Sequence, residues 1–129
     1  MLKLAAIIIV LTFTSTSCLP LDRGTNTFIK QSSNKRGDKK AILFLKEAGA
    51  TVPDSYQVIV CDIDHALDKS EVGNAFTVDT NHGATFLNTA SINFTWIGND
   101  TLLVDYDKNL RTFIQEKKVD EVTIIYKPR

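Results

Sequence analysis

Cysteine is scarce in this 129-residue chain, with Cys18 and Cys61 the only two. One disulfide at most can form, and it requires Cys18 to carry no other modification. Histidine is limited to His65 and His82. An excess of either charge is missing too: 15 Lys and Arg face 15 Asp and Glu. Such a balance argues against general nucleic-acid binding, which needs a basic face. The local run Lys35, Arg36, Lys39 and Lys40 reads as a solvated or membrane-proximal segment. There is no internal repeat, no low-complexity tract, and no long apolar run beyond one near the start. Catalytic spacings are missing as well. No serine sits in Gly-x-Ser-x-Gly, and no His-x-x-x-His pair marks a metallopeptidase helix.

What is there begins with MLKLAAIIIVLTFTSTSC, Met1 to Cys18. Lys3 supplies a positive n-region, Leu4 to Phe13 is apolar but for Thr12, and Thr14 to Ser17 is small and polar. That is the tripartite layout of a secretory signal. About ten apolar residues rise only about 15 Å as a helix, half of the roughly 30 Å that a bilayer core requires. A permanent span is therefore not expected. Thr16-Ser17-Cys18 resembles the cleavage box of bacterial lipoproteins, in which the cysteine becomes the first mature residue and carries the lipid. The resemblance implies an acyl anchor such as palmitate on Cys18. It points to the outer membrane in a cell with two membranes, because Leu19 stands where Asp marks retention at the inner one. Ser15 departs from the usual Leu of the box. Ser15 and Ser17 also satisfy the small-x-small rule of ordinary signal peptidase, so secretion without lipid stands as the alternative. Cleavage before Cys18 leaves one domain's length, slightly acidic once Lys3 is gone.

Three segments are expected: a signal peptide over 1–17, a lipid-anchored flexible tether over 18–38, and a β-rich domain over 39–129. The tether is polar and rich in turn formers, with a short strand near Thr27 to Lys30. Lys39 to Glu47 could be capped as a helix by Asp38 and Gly49, yet its continuous apolar block Ala41 to Leu45 favours a strand covered on both faces. Tyr56 to Ile63 is β-branched and apolar on both sides, hence central. Asp64 to Asn74 is a polar loop, and Ala75 to Asp79 a short strand. Ile92, Phe94 and Trp96 alternate with Asn93 and Thr95. Beyond the Gly98-Asn99-Asp100 turn, Leu102, Val104 and Tyr106 answer them, which defines a hairpin. Thr112 to Glu116 and Val122 to Tyr126 complete the set. The expected fold is mostly β, a small antiparallel sandwich or open barrel of six to seven short strands.

The order of these elements is familiar: KKAILFLKEAGATVPDSYQVIV, then GNAFTVD, then INFTWIGNDTLLVDY, then VDEVTIIYK. Lys40, Gly49-Ala50-Thr51, Gly73-Asn74-Ala75-Phe76 and the Trp96 to Tyr106 hairpin resemble a family of short bacterial envelope lipoproteins known only as a domain of unknown function. The resemblance covers about residues 38 to 127. It implies an exported β-rich domain and transfers no catalytic residue.

Within the domain, CDIDHALDKSE gathers Asp62, Asp64, His65, Asp68 and Glu71. Carboxylates with an imidazole can hold a divalent metal, and Asp-x-Asp brings two carboxylates to one side of a strand end. Asp62, Asp64, His65 and Asp68 are therefore the candidate metal ligands. The loop is not an EF-hand, since the sixth-position glycine and the ligand spacing are missing. His65 and His82 could act as general bases with Asp64, Asp68 or Asp79. Trp96 and Tyr106 read first as inward cross-strand aromatics, and otherwise as a platform for a sugar or peptide. Cys61 has apolar flanks, which raise a thiol's pKa and favour a buried small hydrophobe over a nucleophile. The leading functional expectation is a non-enzymatic, membrane-anchored binding or structural module without a cofactor, partnered by an envelope protein or glycan. The alternatives are a small metal-dependent or hydrolytic enzyme using the Asp62–Asp68 loop, and an inhibitor or immunity-type protein.

Overall fold

The computed structural model describes residues 25–49 and 51–129. Among them the regular structure is all strand: β1 (Asn26–Ser33), β2 (Lys39–Lys46), β3 (Ser55–Asp62), β4 (Phe76–Asp79), β5 (Ile92–Ile97), β6 (Thr101–Tyr106), β7 (Arg111–Gln115), β8 (Lys118–Val119) and β9 (Val122–Pro128). They form two sheets, ordered β1-β2-β3-β4-β7 and β5-β6-β9-β8. The sheets pack face to face as a sandwich and do not close into a barrel. Residues 39–46 are strand, as their unbroken apolar block predicts. The strand expected near Thr27 to Lys30 is longer, running from Asn26 to Ser33 along β2. The second half of the expected tether is thus part of the sheet.

The hairpin β5–β6 has the register read from alternation, with Ile92 opposite Tyr106, Phe94 opposite Val104 and Trp96 opposite Leu102. One pair departs from the antiparallel rule. β6 and β9 run parallel, Leu102 beside Ile124 and Val104 beside Tyr126. After β6 the chain crosses to the other sheet and lines β7 against β4 before returning. It re-enters beside β6 in β6's own direction, as a crossover connection requires.

The main core lies between the sheets, built on Leu43, Val58, Phe76, Val78, Ile92, Leu102 and Val104. Phe76 is its aromatic centre, 5.1 Å from the Tyr106 ring and 5.0 Å from the Tyr126 ring. A second, smaller core sits on the opposite face of β2 and β3, made of Ile42, Phe44, Ile59 and Cys61 with Leu67 against it. This explains why both strands are apolar on both faces. The polar loop after β3 folds back over the sheet and is pinned there. The Asn26 side-chain amide donates to the carbonyls of Asp68 (2.8 Å) and Glu71 (2.7 Å). Lys46 Nζ donates to the Glu71 carbonyl at 3.1 Å.

The loop rejoins the sheet through Gly73 and Asn74. β4 pairs with β3 only from Ser55 to Val58, and beyond it the Asn74 side chain replaces a strand. Its Oδ1 accepts from Val60 N at 2.8 Å and its Nδ2 donates to Val60 O at 2.9 Å. Gly73 lies against β3, where an added Cβ would stand 2.9 Å from the Val58 carbonyl oxygen. Backbone cannot yield there as a side-chain tip can. Gly73→Ala is therefore expected to cost about 1–3 kcal/mol, the usual penalty of overpacking. Urea unfolding at 25 °C measures this; an unchanged midpoint would show that the contact relaxes freely.

Candidate functional site

Cys18, the expected lipid attachment point, lies outside the described residues. Cys61 lies within them, near the end of β3 and 8% exposed. Burial pushes its thiol up to about 11, as its apolar flanks predict, and its Sγ donates to the Lys40 carbonyl at 3.9 Å. A thiol so protonated at neutral pH is a poor nucleophile.

The acidic segment forms the polar rim of a basin of about 510 Å³ lined by Asp62, Asp64, His65, Glu71, Asn74 and Asp120. Its side chains are mostly engaged with other groups. Asp62 accepts from Lys39 Nζ at 2.5 Å, a bond that raises the lysine's pKa. His65 Nε2 is 2.6 Å from Glu71 Oε1, and Glu71 Oε2 accepts from Asp68 N at 3.1 Å. Asp68 Oδ1 in turn accepts from Ser70 N at 3.2 Å. Asp62, Asp64, His65 and Asp68 do not converge: among the described residues, no three His, Cys, Asp or Glu side chains are placed to hold a metal ion. The Asp-x-Asp expectation assumes that strand alternation continues through Asp64. The strand ends at Asp62, where His65 N donates to the Asp62 carbonyl at 3.1 Å and turns the chain. His65 is partnered by Glu71, a residue of the loop's far side, rather than by Asp64 or Asp68.

Trp96 and Tyr106 both point into the sandwich but are not brought together. They stand opposite Leu102 and Ile92 at the two ends of the hairpin, about 13 Å apart at 3.3 Å per residue. The indole N–H donates to the Ser32 carbonyl at 2.9 Å, tying β5 to β1 across the sheets. Tyr106 packs edge-on against Phe76.

A polar row that no sequence spacing reveals crosses the outer face of the five-stranded sheet. Asp79 on β4 stands opposite Arg111 on β7. The guanidinium grips the carboxylate with two bonds, Nε to Oδ1 at 3.1 Å and Nη2 to Oδ2 at 2.5 Å. The Asp79 side chain is 3% exposed, and that of Arg111 35%. Arg111, and the Asn81 backbone N–H at 2.9 Å, hold the carboxyl below the usual carboxylate range. Nη1 of Arg111 is 3.0 Å from His82 Nε2. His82 therefore meets Asp79 through Arg111 and not directly. His82 is held by a left-handed run, φ +51° at Asn81, +57° at His82 and +82° at Gly83. The Arg111 guanidinium also lies over the Phe113 ring, 4.7 Å from its centre. Asp79 and Arg111 are 32 positions apart, and only the β4–β7 pairing joins them.

The fold defines a small two-sheet β-sandwich. Comparison with family models, curated proteins and solved structures returned no match.

Proposed function

We propose that the chain is an exported envelope protein, tethered to a membrane by lipid on Cys18, whose sandwich acts as a non-enzymatic binding or structural module. The observation that carries this reading is the leader, a charged start, an apolar run and the Thr16-Ser17-Cys18 box. The buried state of Cys61 supports it. A thiol 8% exposed beneath a pinned loop is badly placed for a disulfide to the chain's other cysteine, which leaves Cys18 for acylation. With β1 starting at Asn26, only residues 19–25 link the anchor to the sandwich. Fully extended they reach about 25 Å at 3.3–3.6 Å per residue, so the domain rides close to the headgroups.

Mass spectrometry of the protein extracted from membranes of its own cell tests the tether. A diacyl or triacyl mass on an N-terminal Cys18 is expected. An unmodified mature chain, recovered from the soluble fraction, would overturn it.

A further inference from the structure

The outer face of the five-stranded sheet is covered only in part. The loop after β3 seals Ile42, Phe44 and Ile59. Past that seal, toward the Lys46 end of β2, lies a groove of about 390 Å³, within the usual range for small-molecule sites. Its walls are apolar: Val52 and Pro53 on one side, Phe113 on the other. Val52 and Phe113 are 54% and 56% exposed, so both walls are open to a bound molecule.

The groove's floor is polar. Gln57, Thr77 and Asp79 lie there, each no more than 9% exposed. Gln57 is satisfied by Ser55 Oγ at 3.0 Å and by Gly73 N at 2.8 Å, and Asp79 by Arg111. Thr77 differs. Among the described residues, its Oγ1 is the buried side-chain polar atom with no hydrogen-bond partner. Buried polar groups are paired in the great majority of cases, so this hydroxyl beneath the groove has a bond to spare.

Charge narrows the occupant. The lining holds Lys46, Arg111 and Asp79. Asp79 neutralises Arg111, whereas Lys46 donates only to amide and backbone oxygens and has no carboxylate within salt-bridge distance among the described residues. The Lys46 side chain lines the trough, and its ammonium, held only by neutral oxygens of Asn26, Ser70 and Glu71, is a positive charge with no carboxylate partner among the described residues.

We propose that this groove, walled by Val52, Pro53 and Phe113 and floored by Thr77, binds a small apolar monocarboxylate, its carboxylate drawn to Lys46. The Thr77 hydroxyl turns to bond the bound molecule. The apolar body displaces water from Phe113 and Val52. The inference deepens the binding-module reading but uses the sandwich alone. Loss of the lipid anchor in mass spectrometry would leave it standing, and failure of the titration below would leave the anchor standing.

The test is a titration of the ¹⁵N-labelled protein with octanoate, octan-1-ol and octylamine, followed by amide chemical shifts. Saturable shifts are expected at Val52, Thr77 and Phe113, with octanoate binding about fivefold more tightly than the alcohol at low salt, the yield of one partly exposed ion pair. Lys46→Gln should erase that preference while leaving the alcohol unchanged. Thr77→Val is a near-isosteric change that removes the orphan hydroxyl. It should leave the free protein as stable or more so while weakening octanoate binding, a combination that a purely structural threonine would not give. Val52→Glu, at an exposed wall, should abolish the shifts. Shifts scattered over the surface, no saturation, or octylamine binding as tightly as octanoate would overturn the proposal.

Discussion

Phe76→Ala is expected to cost about 3–5 kcal/mol, the range for truncating a fully buried phenylalanine. Phe76 is 0% exposed and packs against both the Tyr106 and Tyr126 rings, which come from β6 and β9 of the facing sheet. Removing the ring empties both of these aromatic contacts between the two sheets. Edge-on and tilted ring pairs add about 0.5–1.5 kcal/mol beyond the area they bury. Collapse into the void is opposed by Tyr126, whose hydroxyl lies 2.6 Å from the Glu116 carbonyl and 3.0 Å from that of Ala75. Burial pushes that phenol above its ordinary range, so it stays a donor across the working pH. A domain of this size has only about 5–15 kcal/mol in hand, and the variant should unfold at far lower urea. Ile97→Ala, at a side chain 53% exposed on the other sheet, should shift the midpoint little. Equal midpoints for the two variants would refute this contribution.

How much of this was legible in the chain depends on whether each element's neighbours are near in sequence. The β5–β6 hairpin was fully readable, because its two apolar faces flank a three-residue turn and need no other partner. Residues 39–46 read as strand because a block apolar on both sides has two covers, here the facing sheet and the loop carrying Leu67. β1 read as mostly tether for a physical reason. It is an edge strand with one wet face, and the register shift between Phe28 and Lys30 breaks its period of two. The crossover making β6 and β9 parallel depends on β7 leaving the sheet, which no local pattern encodes. The acidic cluster misled in the opposite way. Asp62 and Asp64 look paired on a strand, but the strand stops between them and Lys39 claims the first. The groove went unseen because its floor comes from two strands far apart in sequence and its one diagnostic feature, an unsatisfied hydroxyl, exists only after folding.

Arg111→Met should be the most damaging change on the outer face. The methionine keeps the stem's packing but strands the Asp79 carboxylate, which is 3% exposed. Removing one partner of a buried pair costs about 3–5 kcal/mol; the low end applies here because water reaches the open side of the pair. Asp79→Asn combined with Arg111→Met should recover much of the loss, since a neutral amide needs no counter-charge. The pH dependence separates this from a packing defect. In the native protein Asp79 is held below its unfolded value of about 3.9, first by the Arg111 bond. A carboxyl depressed by folding contributes stability that is complete above its unfolded pKa and is lost as pH falls through the folded one. In Arg111→Met the same carboxyl is buried without a partner, so desolvation favours its protonated form and acid relieves the strain. The gap between native and variant midpoints should therefore be widest near pH 7 and shrink toward pH 3. Asp38, held low by Asn34, and Asp107, held low by the Asn109 backbone N–H, titrate in both proteins and cancel from the difference. A gap that stayed constant across that range would mean Arg111 acts through its stem over Phe113, and that the buried carboxylate owes it nothing.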